Sequence, residues 1–343
     1  MVEFLSYTIA GLFIGAAYAI AASGLVLTYT TTRVFNLAHG AISMVMAYLY
    51  WQLHVRSGLS AWLSVVLILF VVAPVLGVVL EKFIMRGLGD APVSVSLVVT
   101  LGLFMFFIGI AQQFWPADAF RSVDYFFGSD AVDVLGVHVL DHYILTIVVS
   151  AVVAGALYVL LNRTRIGTAM RAAVDNRELL ELFGANARRV SVLSWIVGCQ
   201  LAALAGLLLV AYTGLDYYTL TFLVISAFAA AMLGRLRSLP LTFAGAIVLG
   251  LATEYVQGYV HGSAYIQTGI QSSLPTFLLF AILIFVPQVR LRVGQVKGIL
   301  AANVPSMRRS LACGLALLAA SVLVMQFLGG VDMGRFGNAA AFA

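Results

Sequence analysis

The chain has 343 residues, of which 62% are hydrophobic and only 10% are charged, and its mean hydropathy is +1.05. This composition excludes an ordinary soluble domain and is typical of a polytopic membrane protein. The formal net charge of +5 comes from arginines between apolar runs, so it indicates a membrane orientation and not a nucleic-acid surface. Cys199 and Cys313 lie in separate apolar runs and are expected to be small buried hydrophobic residues without metal or disulfide chemistry.

Ten apolar runs follow one another along the chain. They predict an all-α polytopic membrane protein with about nine transmembrane or partly re-entrant helices plus one C-terminal apolar helix, because most runs reach the roughly 20 residues that span a bilayer. The start of the chain lacks a positive n-region, so the first run is expected to remain as a span. In that run, Gly11 and Gly15 predict the close approach of another helix. The runs are 4–28, 38–55, 59–80, 93–115, 143–161, 190–213, 217–233, 241–260, 274–289 and 311–329, and those at 38–55, 217–233 and 274–289 are short enough to be tilted, broken or re-entrant.

The second run opens with Asn36-Leu37-Ala38-His39-Gly40. Asn36 is expected to cap the helix start, and Gly40 permits a close approach of another backbone. A half-helix that begins here and points inward would attract a carboxylate substrate, as in several transporter folds. The alternative is a plain cap beside a histidine at the membrane interface. Asn36, His39 and Gly40 are therefore candidates for the translocation path.

Three further polar or small residues interrupt apolar runs. Thr100 and Gly102 lie within the run at 93–115, where helix packing is the favoured role and a place on the translocation path is the other. Glu254 is a candidate because acids within a membrane are usually functional. It lies close to the outer end of its run, so the alternative is that its side chain snorkels outward, toward Gln257.

Loop charges predict the orientation of the spans. With the N-terminus outside, 16 of the 19 lysines and arginines fall in inner loops, as the positive-inside rule requires. The main outer loop, 116–142, carries five aspartates and one arginine. Within it, Val132 to Val139 alternates around Leu135-Gly136, which predicts a small hairpin. The sixteen inner residues are Arg33, Lys82, Arg86, Arg163, Arg165, Arg171, Arg177, Arg188, Arg189, Arg235, Arg237, Arg290, Arg292, Lys297, Arg308 and Arg309.

The most charged of the inner segments is 163–189, in which nine of the 27 residues are charged. It is too polar to cross a bilayer and too rich in helix-forming residues to be a slack linker. Met170 and Val174 suggest a first short helix. A capping box at Asp175 and Glu178 predicts a second one, whose apolar face combines Leu179, Leu182 and Phe183 and which ends at Gly184 as a left-handed C′ residue. The segment is expected to be a docking surface, and the alternative is a solvated inner loop.

Several motifs of catalytic sites are absent from the sequence. It contains no P-loop, HExxH, GxSxG or CxxC, so no ATP hydrolysis, metal site or cofactor of its own is expected. Two other classes remain as alternatives. An ion-coupled secondary carrier would place paired acids or an unwound helix in mid-membrane. An intramembrane enzyme would need His39 and Glu254 to act together as catalytic bases.

Four blocks of sequence resemble a known family. The chain is similar to the LivH-type permease subunits of ABC importers for branched-chain amino acids, over about residues 2–290. It departs from the usual pattern at Thr30, where the family usually has glycine, and at Arg235-Leu236-Arg237, which replaces Gly-Leu-Gly. The blocks are Gly24 to Tyr29 with Arg33 to Gly40, Leu80 to Arg86 with Val95 to Gly102, Thr164 to Gly206, and Ala227 to Gly234 with Ser238 to Pro240 and Gly245-Ala246.

The resemblance implies a set of partners. Cytoplasmic ABC ATPase subunits would supply the missing P-loop, an extracytoplasmic substrate-binding protein would meet the acidic outer face, and a second, similar permease would complete a pseudo-symmetric heterodimer surrounded by membrane lipid. The location would be the bacterial plasma (inner) membrane. The 163–189 segment resembles the coupling segment that docks into an ATPase, and its expected coupling residues are Arg171, Asp175, Leu179, Leu182, Phe183, Gly184 and Arg188.

The sequence therefore divides into three parts. Residues 1–290 are expected to form the transmembrane domain of a permease, with 163–189 as its cytoplasmic coupling segment. Residues 291–310 are a basic cytoplasmic linker. Residues 311–343 resemble the first span of a sister permease, and the alternative for them is a simple C-terminal anchor helix.

Overall fold

The computed structural model describes residues 2–88, 91–116, 121–128, 130–134, 136–175, 186–260 and 264–285. These residues form ten helices and one hairpin, which confirms the predicted all-α membrane fold. Six of the helices, α1, α3, α4, α5, α7 and α9, are long and apolar enough to cross a membrane. The elements are α1 (Val2–Thr32), α2 (His39–Trp51), α3 (Ala61–Leu88), α4 (Val93–Phe114), β1 (Ala131–Val134), β2 (Val137–Leu140), α5 (Asp141–Arg163), α6 (Arg165–Asp175), α7 (Ala187–Thr213), α8 (Tyr217–Leu233), α9 (Leu239–Tyr259) and α10 (Ala264–Phe285).

Helix α1 is the centre of the bundle and packs against α5, α7, α8 and α9. It crosses α9 on glycines. A Cβ atom placed on Gly11 would lie 2.8 Å from the Cα of Leu251, and one on Gly15 would lie 2.8 Å from the Cα of Ile247. Gly250 faces these two glycines from α9. The predicted close approach at Gly11 and Gly15 is confirmed, because only residues without a side chain let the two backbones come this near.

Helix α3 is irregular where proline interrupts it. It contains two π-helical turns, at Ile68–Val72 and Leu80–Ile84. Pro74 is the second residue after the first of these turns and has no N–H to donate within the helix. The Gln200 side chain of α7 donates instead to the carbonyl of Leu69, with 2.9 Å between Nε2 and O. A polar side chain of a neighbouring span therefore satisfies a carbonyl near the proline, as membrane helices require.

Two of the three short runs, 38–55 and 217–233, give helices α2 and α8, of 13 and 17 residues. Helix α2 is extended by one π turn, Gln52–Arg56. The third short run was predicted to begin at 274, but α10 begins at Ala264 and has 22 residues. This boundary was wrong because polar residues between 264 and 273 lower the hydropathy without breaking the helix. Pro275 lies within α10.

The predicted hairpin is present at one end of the bundle. Strands β1 and β2 are antiparallel, with Val134 opposite Val137 and Asp133 opposite His138. Gly136 adopts a φ of +84° in the turn, a conformation that glycine tolerates best. An aromatic group at Tyr48, Trp115 and Tyr217 stacks at the same end, where it closes α2 against α4 and α8.

The remaining predictions fall partly outside the described residues. The first short helix of the charged segment is confirmed as α6, and Asp175 is its last residue. The second short helix, with Leu179, Leu182, Phe183 and Gly184, lies within 176–185 and so is not among the described residues. The same applies to the linker at 291–310 and to the C-terminal segment at 311–343.

Candidate translocation and coupling sites

The Glu254 cavity is a half-open space of about 520 Å³ lined by α1, α7, α8, α9 and α10. Tyr212 and Glu254 both line it, at the end of the bundle where α8 follows α7, and it reaches Pro275 in α10. Its wall combines aliphatic residues, aromatic rings and hydroxyl groups. The lining includes Ile14, Tyr18, Leu209, Tyr212, Thr213, Tyr218, Thr219, Leu220, Phe222, Leu223, Ser226, Thr253, Glu254 and Pro275.

Glu254 is buried within the bundle, with only 4% of its surface exposed. The hydroxyl of Tyr212, on α7, donates to its Oε1 atom across 3.2 Å. The alternative that Glu254 snorkels outward is therefore wrong, although the residue lies only five positions before the end of α9. Proximity to the end of the helix did not expose it because α1 and α8 pack against α9 and Tyr212 of α7 contacts Glu254.

The Asn36-to-Gly40 block forms a packed unit in the middle of the described bundle. Helix α2 begins at His39, its N-cap is Ala38, and no side chain caps it, so the expected cap by Asn36 is wrong. Asn36 and His39 are buried, and the Oδ1 of Asn36 and the Nε2 of His39 have no hydrogen-bond partner among the described residues. Gly40 meets the backbone of Thr221 on α8 so closely that a Cβ atom would overlap its carbonyl oxygen. The close backbone approach predicted for Gly40 is confirmed.

Thr100 and Gly102 have different surroundings on α4. The Thr100 hydroxyl donates to the carbonyl of Phe35 across 3.1 Å, which ties α4 to the segment that precedes α2, so packing is confirmed for Thr100. Gly102 is exposed, and a Cβ atom placed on it would meet nothing within 4 Å. Packing within the described chain is thus wrong for Gly102, because it lies on the outward face of α4.

The predicted path residues therefore do not form one cluster. Of the six, only Glu254 lines the Glu254 cavity, whereas Asn36, His39, Gly40 and Thr100 lie around the start of α2. Sequence reasoning missed Tyr212, which holds Glu254. The available signal was a tyrosine at the same membrane depth as a buried acid, and such a signal is weak without knowledge of which helices touch.

Helix α6 is clamped to the end of α5 at the opposite end of the bundle. A Cβ atom on Gly167 would come within 3 Å of the backbone of Leu160 and Leu161. The Thr164 hydroxyl accepts from the backbone N–H of Gly167 across 3.0 Å, and Met170 has only 1% of its surface exposed. These contacts pack α6 closely against the end of α5.

Three of the predicted coupling residues lie among the described residues: Asp175 ends α6, and Arg171 and Arg188 are both exposed. Arg171 donates to the Oδ1 of Asn162 across 3.2 Å. Arg188 lies in the first turn of α7, where the Asn186 side chain accepts from the backbone N–H groups of Arg188 and Arg189. Beside α6 is a second cavity of about 880 Å³, the Arg171 cavity, lined by parts of α1, α5 and α9 together with Arg237. This end of the bundle is therefore positively charged.

The turn between α8 and α9 belongs to this positive end. Arg235 and Leu236 have φ values of 52° and 53°, a left-handed conformation that costs residues other than glycine about 1–2 kcal/mol. Arg235 is therefore strained in this turn, where a glycine would be free of strain. Gly234 is packed so tightly against Thr242 that a Cβ atom would overlap its hydroxyl.

The chain matches one described family of proteins, "Branched-chain amino acid transport system / permease component", over residues 7–287. It is 28% identical to the probable branched-chain amino acid transport permease protein LivH of Methanocaldococcus jannaschii, covering 78% of this chain and 85% of the relative. It is 28% identical to BraD of Pseudomonas aeruginosa, a high-affinity branched-chain amino acid transport system permease protein, covering 74% and 86%. Against LivH of Escherichia coli K12 the identity is 25%, covering 83% and 94%.

Among solved structures, PsaBC from Streptococcus pneumoniae in complex with Fab shows a weak likeness. The TM-score is 0.47 and the identity 14%, covering 84% of this chain and 94% of that chain, and no conclusion about this chain follows from it. The family match covers most of the sequence and agrees with the apolar helices. The chain is a multi-pass membrane protein and belongs to the family of branched-chain amino acid transport permeases.

Proposed function

We propose that this chain is one of two permease subunits of an ABC importer that moves branched-chain or related amino acids inward, driven by ATP hydrolysis on separate subunits. Relatives that carry such names cover most of the chain. The observation that carries the proposal is the clamped helix α6, which lies outside the spans, exposes arginine and is fixed to α5 through Gly167. A helix held in this way can pass the movement of an ATPase to the spans.

The orientation follows from the same end of the bundle. Arg171, Arg188 and Arg237 gather there and would face the cytoplasm under the positive-inside rule, so the N-terminus would be outside in a bacterial inner membrane. The hairpin end would then meet an extracytoplasmic substrate-binding protein. The side chains of α4 and α5 that point away from the described bundle are apolar, as at Val98 and Val152. These faces suit contact with lipid and with a second permease in a heterodimer.

The coupling surface extends beyond the described residues. We propose that 163–189 is the coupling segment, with Leu179, Leu182 and Phe183 in an ATPase groove and with Asp175 and Gly184 shaping the second short helix. Residues 1–290 would be the permease domain, 291–310 a linker and 311–343 an additional span.

The translocation path is proposed to pass two groups of residues. The Glu254 cavity is nearest the hairpin end, and the packed unit of Asn36, His39, Gly40 and Thr100 lies deeper. A secondary carrier would be expected to pair its acids in mid-membrane. Among the described residues, the buried acids are Glu81 and Glu254, and Glu81 pairs with Arg86 at 3.0 Å. This pairing favours the importer over the secondary carrier.

The proposal is tested by separating α6 from α5 in a reconstituted complex. In Gly167→Val, the new side chain would overlap the backbone of Leu160 and Leu161, so α6 must lift away while every span remains in place. We expect normal insertion, at least tenfold lower uptake of leucine, and ATP hydrolysis that no longer responds to the loaded binding protein. The matched control is Gly155→Val on the exposed face of α5, where a Cβ atom meets nothing within 4 Å.

The result that contradicts the coupling role is equally definite. If Gly167→Val transports leucine as fast as Gly155→Val, with the same stimulation of ATP hydrolysis, then α6 does not transmit movement to the spans.

A further inference from the structure

On the basis of the permease function proposed above, we infer that the carboxylate of Glu254 binds the ammonium group of the transported amino acid. The Glu254 cavity would thus be a site for zwitterionic amino acids with an aliphatic side chain. Four observations support this inference: the charge of the cavity, the direction of its hydrogen bonds, its aromatic rings and its apolar wall.

The charge of the cavity has one source. Glu254 is the only ionisable residue along the described lining apart from tyrosines, since no lysine, arginine or histidine contributes to it. A carboxylate removed from water is costly unless a positive group accompanies it. The hydroxyl of Tyr212 donates one hydrogen bond to Oε1 but carries no positive charge. A ligand that carries an ammonium group would supply the missing positive charge.

Three threonine hydroxyl groups of the cavity have their protons directed elsewhere. Thr253 donates to the carbonyl of Leu249 across 2.8 Å, Thr213 to that of Leu209 across 3.0 Å, and Thr219 to the Oδ1 of Asp216 across 2.8 Å. Their oxygen lone pairs therefore remain as acceptors on the lining. Together with Glu254, they make the cavity rich in acceptors, which suits an ammonium group with three N–H donors and disfavours an anion.

Aromatic rings reinforce the preference for a cation. Tyr18 and Tyr212 line the cavity beside Glu254, and Tyr218 and Phe222 line it toward the exposed face of α8. The face of an aromatic ring attracts an ammonium group within about 6 Å and contributes roughly 0.5–2 kcal/mol, with the larger value when water is excluded. The rings and the carboxylate therefore favour the same chemical group.

The rest of the wall is apolar. Ile14, Leu209, Leu220 and Leu223 contribute aliphatic surface to the lining, and the volume of about 520 Å³ falls within the range of about 300–1,000 Å³ that is common for small-molecule sites. A branched aliphatic side chain can pack against this surface while its ammonium group contacts Glu254. Aliphatic acids, amides and urea, which lack the ammonium group, would bind poorly.

The test measures ligand-induced thermal stabilisation of the purified permease complex with its ATPases. Three probes separate the contributions: leucine, isoamylamine, which keeps the ammonium and the branched chain, and 4-methylpentanoate, which keeps the carboxylate and the branched chain. The variants are Glu254→Gln, which removes the charge with little change of shape, and Tyr212→Phe, which keeps the charge and removes one hydrogen bond.

We expect leucine and isoamylamine to stabilise the wild type and Tyr212→Phe, with at least tenfold weaker apparent affinity in Glu254→Gln, and 4-methylpentanoate to stabilise none. In proteoliposomes, Glu254→Gln should reduce leucine uptake at least tenfold while ATP hydrolysis still responds to the loaded binding protein. The inference is overturned if Glu254→Gln responds like the wild type, if 4-methylpentanoate binds as well as leucine, or if the wild type responds to none of the probes. Wild-type ATP-driven uptake, measured in the same preparation, tests the permease function separately.

Discussion

The glycine crossing of α1 and α9 makes the stability of the bundle sensitive to a single methyl group. In Gly250→Ala, the new Cβ atom would lie within 3 Å of the backbone of both Gly11 and Gly15. No rotamer change can relieve a backbone overlap, so the two helices must move apart by about 1 Å, which breaks close packing along the crossing. Overpacking of this kind costs typically 1–3 kcal/mol, occasionally more. The gain in helix propensity from glycine to alanine offsets only about 1 kcal/mol of it.

We therefore expect Gly250→Ala to lower the free energy of unfolding by about 1 kcal/mol, which corresponds to a fall of a few degrees in Tm for a chain of this size. The assay is thermal unfolding of the purified subunit in detergent, followed by loss of the monodisperse peak in size-exclusion chromatography. Gly155→Ala is the matched control, because its Cβ atom meets nothing within 4 Å. If Gly250→Ala has a Tm equal to or above that of Gly155→Ala, α1 and α9 do not cross on these glycines.

Three further predictions concern the turn, the topology and the C-terminal segment. Arg235→Gly should raise the free energy of unfolding by about 1 kcal/mol, because it relieves the left-handed backbone at φ 52°, whereas Arg237→Gly should not; equal Tm values for both would contradict the strain. Cysteines in place of Asp133 and Arg171 should react with an impermeant thiol reagent in intact cells only at position 133, and labelling at 171 would reverse the orientation. Deletion of 305–343 should leave insertion and uptake largely intact when a complete second permease is expressed with the chain, and loss of assembly would make that segment integral.

Much of the fold could be predicted because hydropathy reports directly on burial in a membrane. The nine runs before residue 290 all contain helices, and the alternation around Leu135-Gly136 predicted the hairpin. Gly11 and Gly15 predicted the crossing because four-residue spacing places two glycines on one helical face. The start of α10 could not be predicted in the same way, since polar residues inside a bundle lower the hydropathy of a helix that still forms.

The candidate site was less predictable, because it depends on which helices are neighbours. Glu254 was recognised from its residue type alone, whereas its burial follows from the packing of α1, α7 and α8 around it. Asn36 resembled a helix cap, but α2 begins three residues later and the Oδ1 atom of Asn36 is left without a described partner. Gly102 resembled a packing residue and lies on the outward face of α4. In each case, the local sequence pattern predicted the helix correctly but did not predict which residues pack against it.

The energy source of transport tests the central claim most directly. The measurement is uptake of labelled leucine into proteoliposomes that contain this chain with its second permease and the ATPases, in the presence of the binding protein. We predict that uptake requires ATP supplied to the ATPase subunits and stops when these subunits carry a substitution that prevents hydrolysis. Uptake should be unaffected when sodium and proton gradients are collapsed. Uptake by the chain alone that follows an ion gradient and ignores ATP would contradict the importer and support an ion-coupled carrier.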